Sequence, residues 1–288
     1  MTVLRLSLAV AAAFCVTALV PPVAHGQDEE EEHPGWHDTA ELSFVLTTGN
    51  AEASTIGFAN QLRHVWENAL WQLGAGGIRV ESTPVGRTAI GTSPDDFRIE
   101  EEDESELTAE SYFVRSRYDR ELSASLFWFA GGGWDRNTFA GIENRYSGGA
   151  GVGNIWFSGD AAGFRTDYGL TYTFQDNVVG GDDTFAGLRL GYDYYRMLTG
   201  TTRFESVLIA DESLEETADF RTDLLNALAV AMSERLSLKV SHRILFDNRP
   251  SLESLPLIGL NGTPTGESVL AELDEVDTTL TVALVLDF

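Results

Sequence analysis

The chain has 288 residues, a formal net charge of −26 and one cysteine. That acidity excludes a nucleic-acid partner, since phosphate binding needs a cationic face. The length allows one large β domain or two ordinary domains.

The N-terminus carries one positive charge, Arg5, followed by the apolar run "LSLAVAAAFCVTALV" and then Pro21-Pro22. The run is shorter than the ~20 residues a membrane-spanning helix requires. Ala24 and Gly26 supply the small residues of a cleavage site, so residues 1–26 are expected to be a signal peptide. Cys15 falls inside it behind the bulky Phe14, which disfavours lipid attachment. What remains has no thiol for a disulfide, a metal or nucleophilic chemistry. Removing Arg5 and no acid leaves −27. Lys239 is the only lysine, and such acid-rich, lysine-poor surfaces suit a saline habitat.

Residues 27–36, "QDEEEEHPGW", read as an acidic periplasmic tail. Beyond it the apolar residues recur every second position, with Gly, Asn and Asp as punctuation. Twelve strands are expected, at 39–48, 54–66, 69–81, 108–118, 121–134, 143–157, 162–175, 184–196, 201–211, 219–232, 235–247 and 277–288. Short joints are expected near Glu67 and Asp119, at Ser158–Asp160, Leu198–Gly200 and Ser233–Arg235. The longest connections are 82–107 and 248–275. Alternating short turns and long loops is how outer-membrane barrels are strung. The fold class expected is therefore all-β: a closed antiparallel transmembrane β-barrel of about twelve strands over residues 37–288. Closure removes the unpaired backbone edges that hydrocarbon would not tolerate.

The alternation also sorts faces. Phe164, Tyr168, Leu170, Tyr172 and Phe174 share one side, and Arg165, Asp167, Gly169, Thr171 and Thr173 the other. The apolar side would face lipid and the polar side a lumen. On this register the lumen receives Glu41, Arg63, Arg115, Arg117, Arg145, Arg165, Asp167, Arg189, Asp193, Arg203, Glu205, Arg221, Asp223, Lys239 and Arg243. These are ten bases and five acids, an excess of about +5 that would attract anions. Pairs two apart on one face (Arg165/Asp167, Arg203/Glu205, Arg221/Asp223) invite cross-strand ladders of paired side chains that would instead fill the lumen.

"GGAGVGN" (Gly148–Asn154) is not a phosphate-cradling loop, because strand rather than helix follows it. Its inward glycines Gly149, Gly151 and Gly153 are expected to leave space against neighbouring arginines. "DDFRIEEEDESE" (Asp95–Glu106) matches no calcium loop and reads as a solvated acidic loop. His242 lies on an outward apolar face with no serine beside it, and His33 and His37 are weak metal candidates in or near the tail. No catalytic, cofactor or metal residues are assigned, and the chain is not expected to be an enzyme.

"WHDTAELSFVLTTGNAEAST" (Trp36–Thr55), with its Thr48-Gly49-Asn50 turn, resembles the opening hairpin of the domain-of-unknown-function 481 family, the YdiY-like salt-induced outer membrane proteins. The ending "DTTLTVALVLDF" fits the same resemblance. It carries no established activity. The stripe Leu280, Val282, Leu284, Leu286 and Phe288 resembles the signal read by the barrel-assembly machinery. The resemblance and the residues together imply a Gram-negative outer-membrane protein whose partners are lipid, lipopolysaccharide and that machinery. Passive passage of small anionic or polar solutes is the leading expectation. A non-conducting structural or stress-response barrel is the alternative, and an envelope enzyme a distant third.

Overall fold

The computed structural model describes residues 34–48, 53–82, 86–93, 96–102, 107–215 and 219–288. The expected signal peptide, most of the acidic tail with His33, and Gly49-Asn50 of the first turn lie outside these residues. Twelve strands form the closed barrel: β1 (Gly35–Thr48), β2 (Ala53–Trp66), β3 (Ala69–Ser82), β6 (Leu107–Ser123), β7 (Leu126–Asn137), β8 (Ile142–Phe157), β9 (Ala162–Asn177), β10 (Asp182–Met197), β11 (Thr202–Ser213), β12 (Phe220–Ser233), β13 (Leu236–Asp247) and β16 (Val276–Asp287). Neighbours pair antiparallel throughout, and β1 closes the ring by pairing with both β2 and β16. This is the fold class that period-two alternation predicts.

The strands exceed the ~9–11 residues that a tilted membrane strand needs. Their alternation sends one set of side chains outward. Leu42, Phe44, Ile56, Phe58, Leu170, Tyr172, Leu188 and Leu190 are all exposed on that face. At the short-turn end the outward aromatics touch in series. Trp36 meets His64 at 4.5 Å, His64 meets Trp66 at 4.1 Å, Trp66 meets Tyr118 at 6.2 Å, and Tyr118 meets Trp128 at 5.5 Å. Phe164, Tyr194 and Phe204 continue the belt on β9, β10 and β11.

One turn lies elsewhere than expected. The joint after β6 is at Ala124-Ser125, not near Asp119, because β6 continues to Ser123. Asp119 belongs to the wall, where it accepts from Arg117 at 2.6 Å. Ser123 Oγ then accepts from the Ser125 amide and shapes the reversal.

The two longest connections are not plain loops. Connection 82–107 contains β4 (Gly86–Ser93) and β5 (Asp96–Glu102); connection 248–275 contains β14 (Leu252–Gly259) and β15 (Pro264–Glu272). They form a four-stranded sheet in the order β15-β14-β4-β5, joined by parallel pairing of Leu257, Ile258 and Gly259 with Ala89, Ile90 and Gly91. Its core is Ala89, Leu255, Leu257, Val269 and Ala271, with Phe97 packed against it. The acidic stretch read as a solvated loop is thus partly a strand: Phe97 supplies burial, and Arg98 bonds Glu100 at 2.6 Å on the exposed side. Leu273, at the root of the β14–β15 hairpin, packs on Ala140 and Ile142 beside the 3-10 turn Thr138–Ala140. Gly141 follows that turn at φ 68°, and a Cβ there would lie 2.9 Å from Ser251 Cβ. The sheet is therefore seated on the long-loop end of the barrel.

Candidate functional site

The candidate site is the barrel interior. Every inward-facing cation assigned from the sequence lies on the inward-facing register of its strand, opposite the apolar outer stripe. Arg63 on β2 is 7% exposed. Arg115 bonds Asp135, with its Nε at 3.1 Å. Arg117 reaches Asp119 at 2.6 Å and Asp167 at 3.5 Å. Arg145 donates to Gln175 at 2.7 Å. Arg165 bridges Asp193 at 2.7 Å and Asp119 at 3.2 Å. Arg189 grips both oxygens of Asp211, each at 2.8 Å. Arg203 approaches Glu205 to 2.8 Å, an ion pair without hydrogen-bond alignment. Arg221 meets Asp219 at 3.0 Å and Asp247 at 3.2 Å. Lys239 bonds Glu41, and Arg243 bonds Asp223.

Of the residues spaced two apart, Arg203 and Glu205 meet within their own strand, and the others enter cross-strand pairs. Arg165 turns instead to β6 and β10, Asp167 to Arg117, and Asp223 to Arg243. Long side chains on one face reach both partners across strands and partners two apart, as Arg117 does with Asp167 and Asp119. The charge balance differs from the expected one. Asp119, Asp135, Asp211, Asp219 and Asp247 join the five acids named from the sequence, so the interior sets ten carboxylates against ten cations. Asp277, 8% exposed on the inner face of β16, tilts the balance further toward acid. The expected excess of about +5 does not exist.

Near the short-turn end the interior is filled. Thr39, Arg63, Asp119, Phe127, Asp167, Glu205, Ala229, Lys239 and Val285 are all buried there, from nine different strands. Phe127 and Phe129 occupy the hollow over the glycines of β8 and β9. A Cβ on Gly153 would fall 2.2 Å from the Phe127 ring, and one on Gly169 2.9 Å from Phe129. A Cβ on Gly151 would meet Tyr168 O at 2.0 Å. The glycines of "GGAGVGN" therefore admit aromatic rings and close strand approach rather than arginine side chains. Arg117 stacks on Phe129 at 4.1 Å and Arg165 lies 5.7 Å from Phe127, so the two guanidinium groups cover this floor.

Above the floor, in the long-loop half, a cavity of about 240 Å³ remains. Arg115, Arg145, Arg189 and Arg221 line it, with Asp135, Asp211, Asp223 and Asp247. Thr171, Thr173 and Phe185 complete the wall, and Pro250, Ser251 and Leu273 of the hairpin root contribute its upper margin. The arrangement can hold water and small polar solutes by charge-assisted hydrogen bonds. The carboxylates that complete it sit mainly at strand ends, where period-two patterning fades; the cue available was cross-strand position opposite an arginine.

His242 faces outward, in register with Asn226 and Leu280, and His37 is in β1 opposite Arg63. Among the described residues no group of three His, Cys, Asp or Glu is placed to hold a metal ion.

Residues 40–288 match the family described as "Protein of unknown function, DUF481", and the chain belongs to that family. No curated protein matches it by sequence. Among solved structures it is similar to the NanC porin, at 9% identity and a TM-score of 0.52, covering 86% of this chain and 98% of that one. The KdgM porin shares 7% identity at a TM-score of 0.43, covering 87% and 99%. An anion-selective porin from Comamonas acidovorans shares 11% at 0.37, covering 89% and 99%. The NanC likeness is one of fold.

Proposed function

We propose that the chain is a bacterial outer-membrane barrel through which small polar solutes, anions among them, pass passively. The apolar outer stripe and its aromatic belt support immersion in lipid, with the short turns on the periplasmic side. We assign contacts to outer-membrane lipid and lipopolysaccharide to that surface. Recognition by the barrel-assembly machinery we assign to the β16 stripe of Leu280, Val282, Leu284, Leu286 and Phe288.

The observation that carries the passage reading is the interior of paired charges around a cavity. A barrel that only had to span the membrane gains little from such an interior, since buried ion pairs are often no more stabilising than apolar residues of similar volume. Charged rings are, however, what a hydrated solute path uses. Because the cations are matched by carboxylates, the interior supports polar solutes more strongly than it supports anions as a class. The reading includes no catalytic step, and His242 faces the lipid side.

The filled short-turn half favours a second reading, a non-conducting structural barrel that supports the envelope. Planar-bilayer recording of the purified, folded protein separates the two. Discrete conductance steps support passage; an inserted barrel that stays electrically silent at all voltages supports the structural role.

A further inference from the structure

The walls of the cavity differ in sign. On the arc β6–β10, Arg115, Arg117, Arg145, Arg165 and Arg189 border it, against Asp135 and Asp193. On the arc β11, β12, β13 and β16, Asp211, Asp219, Asp223, Asp247 and Asp277 border it, against Arg221. Local pairing reduces this polarity without cancelling it. With the floor acids Asp119 and Asp167 included, the first arc still has more cations than acids. With Arg243 behind Asp223 included, the second still has more acids than cations. In the strand order of the barrel, β8 with Arg145 is six places from β16 with Asp277, so these two strands stand opposite each other across twelve.

We propose that this cavity recognises small zwitterions, solutes bearing one carboxylate and one ammonium group, and aligns them across the lumen. The carboxylate lies toward the arginines of β6–β10 and the ammonium toward the carboxylates of β11–β16. A plain anion is attracted by one wall and repelled by the other. A zwitterion of amino-acid size gains at both, because field lines between low-dielectric walls are concentrated where the solute passes. Arg supplies a planar fork suited to a carboxylate, and several acceptors opposite suit an ammonium with three donors. The inference rests on the passage reading above and narrows it to a solute class.

The test is osmotic swelling of liposomes containing the folded protein, in alanine and in lactamide, its uncharged analogue of nearly equal size. Alanine is expected to enter about fivefold faster, a factor within reach of a single favourable charge contact. Equal rates would overturn the zwitterion preference while leaving passage intact. No swelling in either solute would overturn passage, and the preference with it. Arg145→Gln and Asp247→Asn, on opposite walls, should each bring the alanine-to-lactamide ratio toward one. A ratio unchanged in both variants, each shown folded by its heat-dependent gel mobility, would also overturn the proposal.

Discussion

Lys239 sits on β13 and its partner Glu41 on β1, with β16 between them. The bond crosses Ala283, 1% exposed and in register with Lys239, whose small side chain leaves room for the span. It ties together β13 and β1, the two strands that flank β16. Lys239→Met leaves Glu41 charged and enclosed, which is expected to cost about 3–5 kcal/mol. Adding Glu41→Leu should restore most of that loss, since an apolar pair carries no desolvation penalty. Urea unfolding of the folded protein in liposomes, followed by tryptophan fluorescence, measures both. A second prediction concerns Arg189 and Asp211, which border the cavity as one bidentate pair. Arg189→Gln exposes a lone carboxylate and should move the bilayer reversal potential toward cation preference. Asp211→Asn should move it the other way; equal shifts in one direction would contradict a paired wall.

β8 is the element whose composition depends most on its neighbours. Gly149, Gly151 and Gly153 lie on its inner face, and at Gly151 an added Cβ would fall 2.0 Å from Tyr168 O on β9. Gly151→Val should therefore force β8 from β9 at a cost of at least about 1–3 kcal/mol. The expected result is a lower temperature for the heat-dependent mobility shift, with Gly159→Ala in the open turn after β8 as a silent comparison. The twelve barrel strands were legible because each repeats a two-residue period over ten or more residues. Strands β4, β5, β14 and β15 were not: they are short, and β14 is held to β4 by parallel pairing between connections far apart in sequence. The inward arginines shared a face that alternation alone distinguishes. Their partners did not stand out. Asp119 fell in an expected turn, Asp135 lay just beyond an expected strand end, and Asp219 and Asp247 began or closed strands. Which carboxylate meets which guanidinium is decided across strands, and no local pattern contains that information.

Since the interior carries no excess of cations, the net charge of −26 must reside outside it. Part of it lies at the long-loop end, where Asp182 and Asp183 at the start of β10, Glu267 and Glu272 on β15, and Asp274 and Glu275 before β16 are exposed. A solute approaching from that side first meets an acidic crown and only then the two-signed cavity. The crown attracts counter-cations and repels anions over the Debye length, about 10 Å at 0.1 M salt and about 3 Å at 1 M. The paired charges within the barrel are enclosed and are screened much less. Anion permeability relative to cation permeability should consequently rise as potassium chloride is raised from 0.1 M to 1 M at a fixed concentration ratio across the bilayer. The reversal potential reads this directly, moving toward the chloride equilibrium value with added salt. A selectivity that stayed constant would mean that the crown lies too far from the path of ions to act on them, and would place the control of passage wholly among the buried pairs.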